Sequence, residues 1–475
     1  MQELYLGIVV IVFSFLATLN AHGDEVLGVD QFLDQVKRAN SGYQGAASTT
    51  EGALQQSVEG KLVTTPSVFS NISLSGDSKL VDQPIGSYDR AVQNDYQFGV
   101  SDTTSFGTTA KLYYDATYYN YTNINYGAFA PPFSYSLFDA RPILSITQPI
   151  WGNGFGRSTR AQADFTESSA LSASYSSRFQ SKTILANAEA AYWNLSIARQ
   201  LVNLQLDAED RSQKIYDYNS RRAKLHLSDE ADMLQSAASL ETRKLDVQAA
   251  RDNERTAARS FNTARNVSSD NVSESLVQAT HPIAEALRVP IRSEIRDDVK
   301  AAQENSKATQ ANAVIHSEAD LPTLQVFGTF ALNGRSDDFA PSVTNAFSSG
   351  RNTITGGVQF SMPLAIGTTS TARDGWAKQK AGAELTYDKS LFDSEQNWQD
   401  LNLRFTEAKR RLSMARSIEE AERKKLVYEK ERLTKGRTTT FQVLLFEQDY
   451  ELAQVTRVNA EGDVFSIYTQ MKLFE

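Results

Sequence analysis

The sequence of 475 residues contains no cysteine and only four histidines, at positions 22, 226, 281 and 316. The absence of cysteine excludes disulfides, thiolate metal sites, a cysteine nucleophile and a lipidated N-terminal cysteine. Because no two histidines are three or four positions apart, neither a histidine metal site nor a histidine-based catalytic centre is expected. The net charge of −9 argues against a nucleic-acid partner, which requires clustered Lys and Arg. We therefore expect neither an enzyme nor a bound cofactor.

Only one stretch forms a long apolar run, LYLGIVVIVFSFLATL at residues 4–19. Its length of about 16 residues is short for a membrane helix of about 20 but suits the core of a signal peptide. Ala21 and Gly23 provide small residues for cleavage, so we expect a signal peptide over residues 1–23. The lack of Lys or Arg before the run leaves an uncleaved anchor as the alternative. Any further membrane insertion is expected to use strands.

Proline is absent between Pro149 and Pro282 and after Pro363, and glycine is absent between Gly156 and Gly328. Because an interior proline costs about 3 kcal/mol in a helix, these gaps predict long helices over residues 157–224 and 370–434. Apolar residues inside them recur at spacings of four and three: Ile184, Ala188, Ala191, Leu195, Ala198 and Val202, then Leu401, Phe405, Ala408, Leu412 and Ala415. This pattern predicts a coiled-coil-like seam. An ordinary helical bundle is the alternative, but helices of about 100 Å favour an elongated structure.

The segments that contain proline alternate polar and apolar residues with a period of two. Four such runs lie between Pro66 and Pro149, and two lie between Pro322 and Pro363. Alternation over about 10 residues is typical of transmembrane β-strands, although an immunoglobulin-like sandwich shows it as well. The tyrosine-rich run YYDATYYNYTNINY at residues 113–126 would suit an aromatic girdle at a membrane interface.

The chain repeats one order of motifs. The segment at 319–334, ADLPTLQVFGTFALNG, parallels TTPSVFSNISLSG at 64–76, and each opens a strand with proline. VQFSMPLAIGTTSTARD at 358–374 parallels LSITQPIWGNGFGRSTRA at 144–161, and LTKGRTTTFQVLLFEQDYELAQ at 433–454 parallels KLHLSDEADMLQSAASLETRK at 224–244. Two units of helix, strands, long helix, turn and return helix therefore occupy about residues 24–270 and 292–475.

These repeats give the following predicted segments. The first unit contains a helix at 24–65, strands at 66–150, and a long helix with its return helix at 151–270. A linker at 271–291 separates it from the second unit, which contains a helix at 292–321, strands at 322–363, and helices at 364–475.

Each unit turns from strand to helix at a proline followed by glycine. The predicted junction residues are Pro149, Gly152, Gly154 and Gly156 in the first unit and Pro363 and Gly367 in the second. We expect the proline to end strand pairing and the glycines to supply unusual backbone angles, with Gly367 alone doing so in the second unit. A phosphate-binding loop is not indicated, because GNGFGRS lacks the GK(S/T) ending and the G-x-G-x-x-G spacing of the known glycine-rich phosphate loops.

The doubled order of motifs resembles the TolC family of outer-membrane efflux proteins. TQPI before the glycines is similar to the family's TQP(L/I) strand end, and KGRTTTFQVLL is similar to its VGTxxxxDVL turn. The resemblance covers the chain after the signal peptide. It implies a homotrimer in which an outer-membrane β-barrel continues as an α-helical coiled-coil barrel across the periplasm of a Gram-negative-type cell. It also implies a passive exit duct that works with a periplasmic adaptor protein and an inner-membrane transporter and contacts outer-membrane lipid.

In this family the periplasmic helix tips contact the adaptor. The matching residues here are Leu225, His226 and Leu227 in the first unit and Lys435, Gly436 and Arg437 in the second. His226 stands where the family has glycine. Neighbouring Lys and Arg make both tips basic, which either complements an acidic adaptor surface or forms an ordinary solvated cluster.

The implied periplasmic gate departs from the family pattern. Asp232 matches a gate aspartate, but Gln442 and Leu445 stand where the family has a pair of aspartates, and Glu447 is the nearest acid. Because a ring of carboxylates would select cations, its absence predicts a polar and apolar constriction with weaker cation preference.

Several alternatives remain at this stage. Four strands in the first unit and two in the second predict a barrel of about 18 strands in a trimer, whereas a hairpin projecting above the sheet would leave 12. A structural envelope-spanning coiled-coil protein with a β-rich anchor is the alternative function, and an adhesin on a helical stalk is a third. Drug efflux, metal efflux and type I secretion share this layout, because the inner-membrane partner selects the substrate.

Overall fold

The structure, a computed structural model, describes residues 26–78, 87–225, 230–348 and 350–475. The predicted signal peptide and the tip residues His226 and Leu227 lie outside these ranges. The helices are α1 Val29–Ala39, α2 Ser41–Gln56, α3 Arg157–Lys224, α4 Glu230–Ala264, α5 His281–Ala286, α6 Asp297–Ala319, α7 Phe339–Ser348, α8 Ile366–Thr434 and α9 Thr440–Met471. The strands are β1 Ser67–Asp77, β2 Arg90–Thr103, β3 Thr109–Ile124, β4 Phe133–Trp151, β5 Thr323–Leu332, β6 Gly334–Ser336 and β7 Asn352–Ser361.

The chain divides into two compact units. The helical unit comprises the segment up to Ser41 together with Leu185–Val289 and Arg404–Gln470. The sheet unit comprises Gly42–Ile184, Pro290–Leu403 and Met471–Glu475.

The two proline-free stretches form the longest helices among the described residues. Helix α3 has 68 residues and α8 has 69, and α8 begins four residues before the predicted start. Most of the predicted seam is buried, including Ala188 and Leu195 in α3 and Ala408 and Leu412 in α8. Within the described part of the chain, no helix combines the length and the apolar character required to cross a membrane.

Aromatic rings form much of the core of the helical unit. Phe32 of α1 stacks on Phe261 of α4 with ring centroids 4.2 Å apart, and Tyr192 of α3 lies 5.7 Å from Phe32. On the other side of α3, Trp193 stacks on Phe465 of α9 at 4.1 Å. These contacts join four helices.

The linker between the repeats packs against α3. The hydroxyl of Ser196 donates to the carbonyl of Val277 at 2.8 Å and accepts the N–H of Ala279 at 3.0 Å. The Arg199 guanidinium donates to the carbonyl of Glu274 at 2.6 Å. The segment therefore has fixed backbone partners, and part of it forms the short helix α5.

All strands belong to one antiparallel sheet in the order β1-β2-β3-β4-β5-β7, and β6 pairs with β4 beside β5. The four strands expected in the first unit are present. Strands β2 and β3 lie inside the sheet, each paired on both sides, so the alternative of a hairpin projecting above the sheet is wrong.

The second strand region differs from its prediction. Two strands were expected between Pro322 and Pro363, but the short strand β6 and the helix α7 lie between β5 and β7. The sequence FAPSVTNAFS contains a proline near its start, which is tolerated in the first turn of a helix. A strand-based interpretation of this stretch therefore missed a helix.

Candidate functional site

The two faces of the sheet differ in chemistry across its whole width. Residues directly opposite each other on neighbouring antiparallel strands share a face, so the register defines rows that cross all six principal strands. One row, here called the apolar row, consists of Val68, Val100, Leu112, Leu144, Phe330 and Ile354. The adjacent row, here called the polar row, consists of Ser67, Ser101, Lys111, Ser145, Thr329 and Thr355.

Every residue of the apolar row is exposed in the single chain, with exposed fractions between 39% and 84%. A soluble protein rarely leaves a contiguous apolar patch of this kind uncovered. The same face continues with Ile72 and Leu74 on β1 and with Val358 and Phe360 on β7. This face requires an apolar environment from outside the chain.

The opposite face carries mostly polar side chains. Beyond a row that includes Phe69 and Ile143, a further row contains Asn71, Gln97, Asp115 and Arg141 on β1 to β4, and the Gln97 amide donates to Asp115 at 3.4 Å. The sheet thus presents one apolar face and one mostly polar face.

The tyrosine-rich run of β3 divides between the two faces. Tyr114 and Tyr118 lie on the apolar face, opposite Pro142 and Phe138 of β4, whereas Tyr113, Tyr119 and Tyr121 lie on the polar face. The expectation of a single aromatic girdle was therefore too simple. A period of two makes such a division inevitable in an uninterrupted tyrosine run.

The junction after β4 contains four residues with left-handed backbone angles: Gly152, Asn153, Phe155 and Gly156, with φ between 52° and 75°. The Asn153 carboxamide oxygen accepts the N–H groups of Ser158 and Thr159 at 2.8 and 3.1 Å, which satisfies the free donors at the start of α3. The chain changes direction within a few residues because this cap and these angles occur together.

A turn of the additional hairpin packs directly on the junction. A Cβ atom at Gly156 would lie 2.2 Å from the carbonyl oxygen of Ser105, in the turn between β2 and β3. The Arg160 guanidinium donates to that same carbonyl at 2.9 Å and to the carbonyl of Phe155 at 2.9 Å. Sequence reasoning did not find this contact, because no local pattern joins residues about 50 positions apart.

Three expectations about the junctions require correction, and a fourth agrees with the structure. Strand β4 does not end at Pro149 but continues to Trp151 with a register shift between them, since a bulge accommodates the missing N–H. Gly154 lacks a left-handed φ, which Asn153 and Phe155 adopt instead. Gly367 is the second residue of α8, has no left-handed φ and has open space around it, so it makes no special turn. Pro363 follows the end of β7 at Ser361 as expected.

The second helix tip has a defined glycine turn. Gly436 has φ +68°, its N–H donates to the carbonyl of Leu433 at 3.0 Å, and the Arg437 N–H donates to the carbonyl of Arg432 at 2.9 Å. This is the glycine-terminated helix end known as a Schellman motif. At the first tip, Leu225 is exposed and its N–H closes the last turn of α3.

The basic character of the second tip is partly offset. The Lys435 ammonium lies 2.5 Å from Glu431, one turn earlier on α8. Their hydrogen bond lowers the pKa of the Glu431 carboxyl and raises the pKa of Lys435. Both groups are therefore charged at neutral pH, and Lys435 adds no net charge to the tip.

The predicted gate residues lie near the starts of the two return helices, α4 and α9. Asp232 lies in the first turn of α4. Gln442 is half-buried near the start of α9, where its N–H donates to the Thr439 hydroxyl at 3.3 Å, and Leu445 is exposed.

Glu447 is the predicted gate residue whose surroundings differ most from the expectation. Only 2% of it is exposed, and its carboxylate contacts Arg211 of α3 and the Lys430 ammonium of α8, the latter at 2.7 Å. Leu445 and Glu447 are two residues apart and project to different sides of α9. Glu447 therefore holds three helices together.

Further ion pairs join α9 to α4 and α8 along its length. Glu451 contacts Arg243 of α4, the Asp449 carboxylate lies 2.9 Å from Lys425 of α8, and Arg457 lies 2.5 Å from Glu419 of α8. Such pairs join residues far apart in sequence, so their individual partners were not predictable. The available signal in the sequence was the presence of charged residues, such as Glu451 and Arg457, among the apolar residues of α9.

The chain thus combines a sheet that has an apolar face and a mostly polar face with two hairpins of long helices. The model of the outer membrane efflux protein family matches residues 293–472, the second of the two repeats. The TolC-type resemblance of the sequence is confirmed over this repeat. The match is to efflux proteins and not to an enzyme family, in agreement with the expectation that the chain catalyses no reaction.

Solved structures share the fold at low sequence identity. The CmeC outer membrane channel of Campylobacter jejuni is 16% identical, with a TM-score of 0.62 over 94% of this chain and 85% of that one. The outer membrane protein VceC of Vibrio cholerae is 13% identical, with a TM-score of 0.64 over 94% of both chains. The open-state MtrE outer membrane channel of Neisseria gonorrhoeae is 14% identical, with a TM-score of 0.64 over 94% of this chain and 88% of that one. No curated protein sequence matches this chain.

Proposed function

We propose that three copies of this chain form one passive exit duct in the outer membrane, extending into the periplasm. The duct would receive its cargo from an inner-membrane transporter through a periplasmic adaptor protein, in efflux or in type I secretion. The apolar row is the observation that most directly supports this proposal. It crosses the entire sheet beside a row that is entirely polar, as a wall between lipid and an aqueous lumen requires.

The edges of the sheet support closure by neighbouring copies. Among the described residues, β1 and β7 each pair with one strand only, which leaves a row of backbone groups open on the outer side. Because all five pairings along the path are antiparallel, β1 and β7 run in opposite directions. A neighbour's β1 beside β7 would continue the pattern. Three chains with six principal strands each would give a closed barrel of about 18 strands.

Helix α8 supports assembly of the helical part. Leu385, Phe392, Leu403 and Met414 are exposed at spacings of 7, 11 and 11 residues, close to whole numbers of helical turns. They form one apolar stripe on a helix whose first half is largely uncovered by its own chain. A neighbouring copy would cover this stripe.

The adaptor is proposed to dock at the tips formed by Leu225 to Leu227 and Lys435 to Arg437. The exposed Leu225 and the fixed turn at Gly436 offer an apolar contact beside exposed backbone. The gate is proposed to be formed by Asp232, Gln442 and Leu445, with weaker cation preference than a carboxylate ring would give. Glu447, which the sequence placed there, is engaged with Arg211 and Lys430.

The native mass of the detergent-extracted protein, taken from the outer-membrane fraction, tests the proposal. A trimer that conducts ions in a planar bilayer is the expected result. A water-soluble monomer or dimer would contradict it and favour the envelope-spanning structural protein. In the trimer, a bifunctional reagent that joins a thiol to an amine should cross-link Gly436→Cys to a lysine of the co-expressed adaptor, whereas the control Gly375→Cys on α8 should not be cross-linked.

A further inference from the structure

The apolar face of the sheet, which contains the apolar row, also contains a groove with a floor and a wall. Its floor is formed by aromatic side chains of β2, β3 and β4: Tyr96, Phe98, Tyr114, Tyr118 and Phe138. The groove has a volume of about 530 Å³. The rings contact one another, since Phe98 stacks on Tyr114 at 5.7 Å and Tyr118 lies 4.8 Å from Phe138.

Helix α7 forms the wall of this groove. The ring of Phe339 meets Phe138 edge-on at 5.9 Å, and Val343 lines the groove one turn later. The helix lies on the apolar face because Gly334 of β6, paired with Ala140, has no side chain there. A Cβ atom at Gly334 would lie 2.0 Å from the carbonyl oxygen of Ser342.

We propose that this groove binds one acyl chain of a membrane lipid at a defined site on each subunit. The inference rests on the proposed function, which places the apolar face against the bilayer. Aromatic and aliphatic side chains form most of the floor and the wall, and none of the described residues that line the groove is charged, which disfavours a charged ligand. A hydrocarbon chain is the occupant that this chemistry fits.

A second copy of the chain does not fit the groove. Strands β2, β3 and β4 are interior strands whose hydrogen-bonding edges are already used, whereas a neighbouring subunit would join at β1 and β7. Phe339 and Phe347 of α7 are themselves exposed, so the wall also presents apolar rings outward. The helix therefore converts a flat lipid-facing surface into a site with two sides.

The test uses the intact trimer, reconstituted in vesicles of phosphatidylethanolamine and phosphatidylglycerol, re-extracted in mild detergent and weighed by native mass spectrometry. Ala116→Trp fills the groove from its floor, and Val100→Trp places the same side chain on the same face outside it. We expect one retained phospholipid per chain in the unmodified trimer and in Val100→Trp, and at least about a tenfold lower occupancy in Ala116→Trp.

A second variant covers the case in which Ala116→Trp fails to assemble. Val343→Gln puts an amide on the wall without changing a principal strand and should lower occupancy to a similar extent. A trimer that retains no lipid, or equal retention by Val100→Trp and the groove variants, would overturn the inference and leave the duct intact. Failure of the unmodified chain to form a membrane trimer would instead overturn the proposed function.

Discussion

Gly156 lies so close to Ser105 that a Cβ atom on the glycine would be 2.2 Å from the serine carbonyl oxygen. The two residues belong to the strand-to-helix junction and to the turn between β2 and β3. Gly156 also has φ +75°, an angle that residues with side chains adopt only at a cost. The additional hairpin and the glycine-rich junction therefore depend on each other.

Gly156→Ala should destabilise the sheet unit by about 3 kcal/mol, because it combines a left-handed alanine with a backbone clash. Thermal unfolding of the assembled protein in detergent measures the effect. Gly154→Ala is the matched control, since Gly154 has open space around its α-carbon and no left-handed φ. Equal melting temperatures for the two variants would show that the hairpin turn does not rest on Gly156.

The Tyr192 hydroxyl forms hydrogen bonds with two backbone segments of the helical unit. It donates to the carbonyl of Leu27 at 2.5 Å and accepts the N–H of Val277 at 2.9 Å. Tyr192→Phe leaves both buried groups without this partner and should cost about 2–4 kcal/mol. Amide hydrogen exchange should then accelerate around Val277. Tyr428→Phe, at a largely exposed position, should leave stability and exchange unchanged.

Glu447→Gln distinguishes a structural role from a gate role. Removal of a charge that faces Arg211 and Lys430 in a buried site should destabilise the helical unit by about 3 kcal/mol. The ratio of cation to anion permeability in a planar bilayer should stay the same. A changed permeability ratio with unchanged stability would place Glu447 at the pore after all. Glu420→Gln, which removes an exposed pair with Arg423, should have little effect on either property.

A charge on the apolar row should be far more harmful than the same charge on the polar row. Leu144→Arg should cost about 2–4 kcal/mol if the row faces the centre of a bilayer, and the adjacent Ser145→Arg should cost much less. The yield of folded trimer in the outer-membrane fraction compares the two variants. Equal yields would mean that neither face contacts lipid.

The sequence was sufficient for features that depend on local periodicity. The four period-two runs between Pro66 and Pro149 predicted the strands β1 to β4, because a strand has a period of two. The absence of proline predicted α3 and α8 because an interior proline breaks a helix. The doubled order of sequence motifs predicted that each chain contains two structural repeats.

Features that depend on distant contacts were not predictable in the same way. Helix α7 packs on Gly334, and Gly156 packs on the turn at Ser105, so their conformations follow from tertiary contacts. Glu447 was assigned to the gate from its position relative to Gln442, but its surroundings are set by α3 and α8. At Pro149 the expectation failed because a bulge accommodates the proline.

The most direct test of the account uses the absence of native cysteine. Leu112→Cys places a single thiol on the apolar row, and Lys111→Cys places one on the polar row of the same strand. In intact outer membranes, a membrane-impermeant maleimide should label position 111 through the lumen and leave position 112 unlabelled, while a lipid-soluble maleimide should label position 112. Rapid labelling of both positions by the impermeant reagent would contradict a sheet that separates lipid from an aqueous duct.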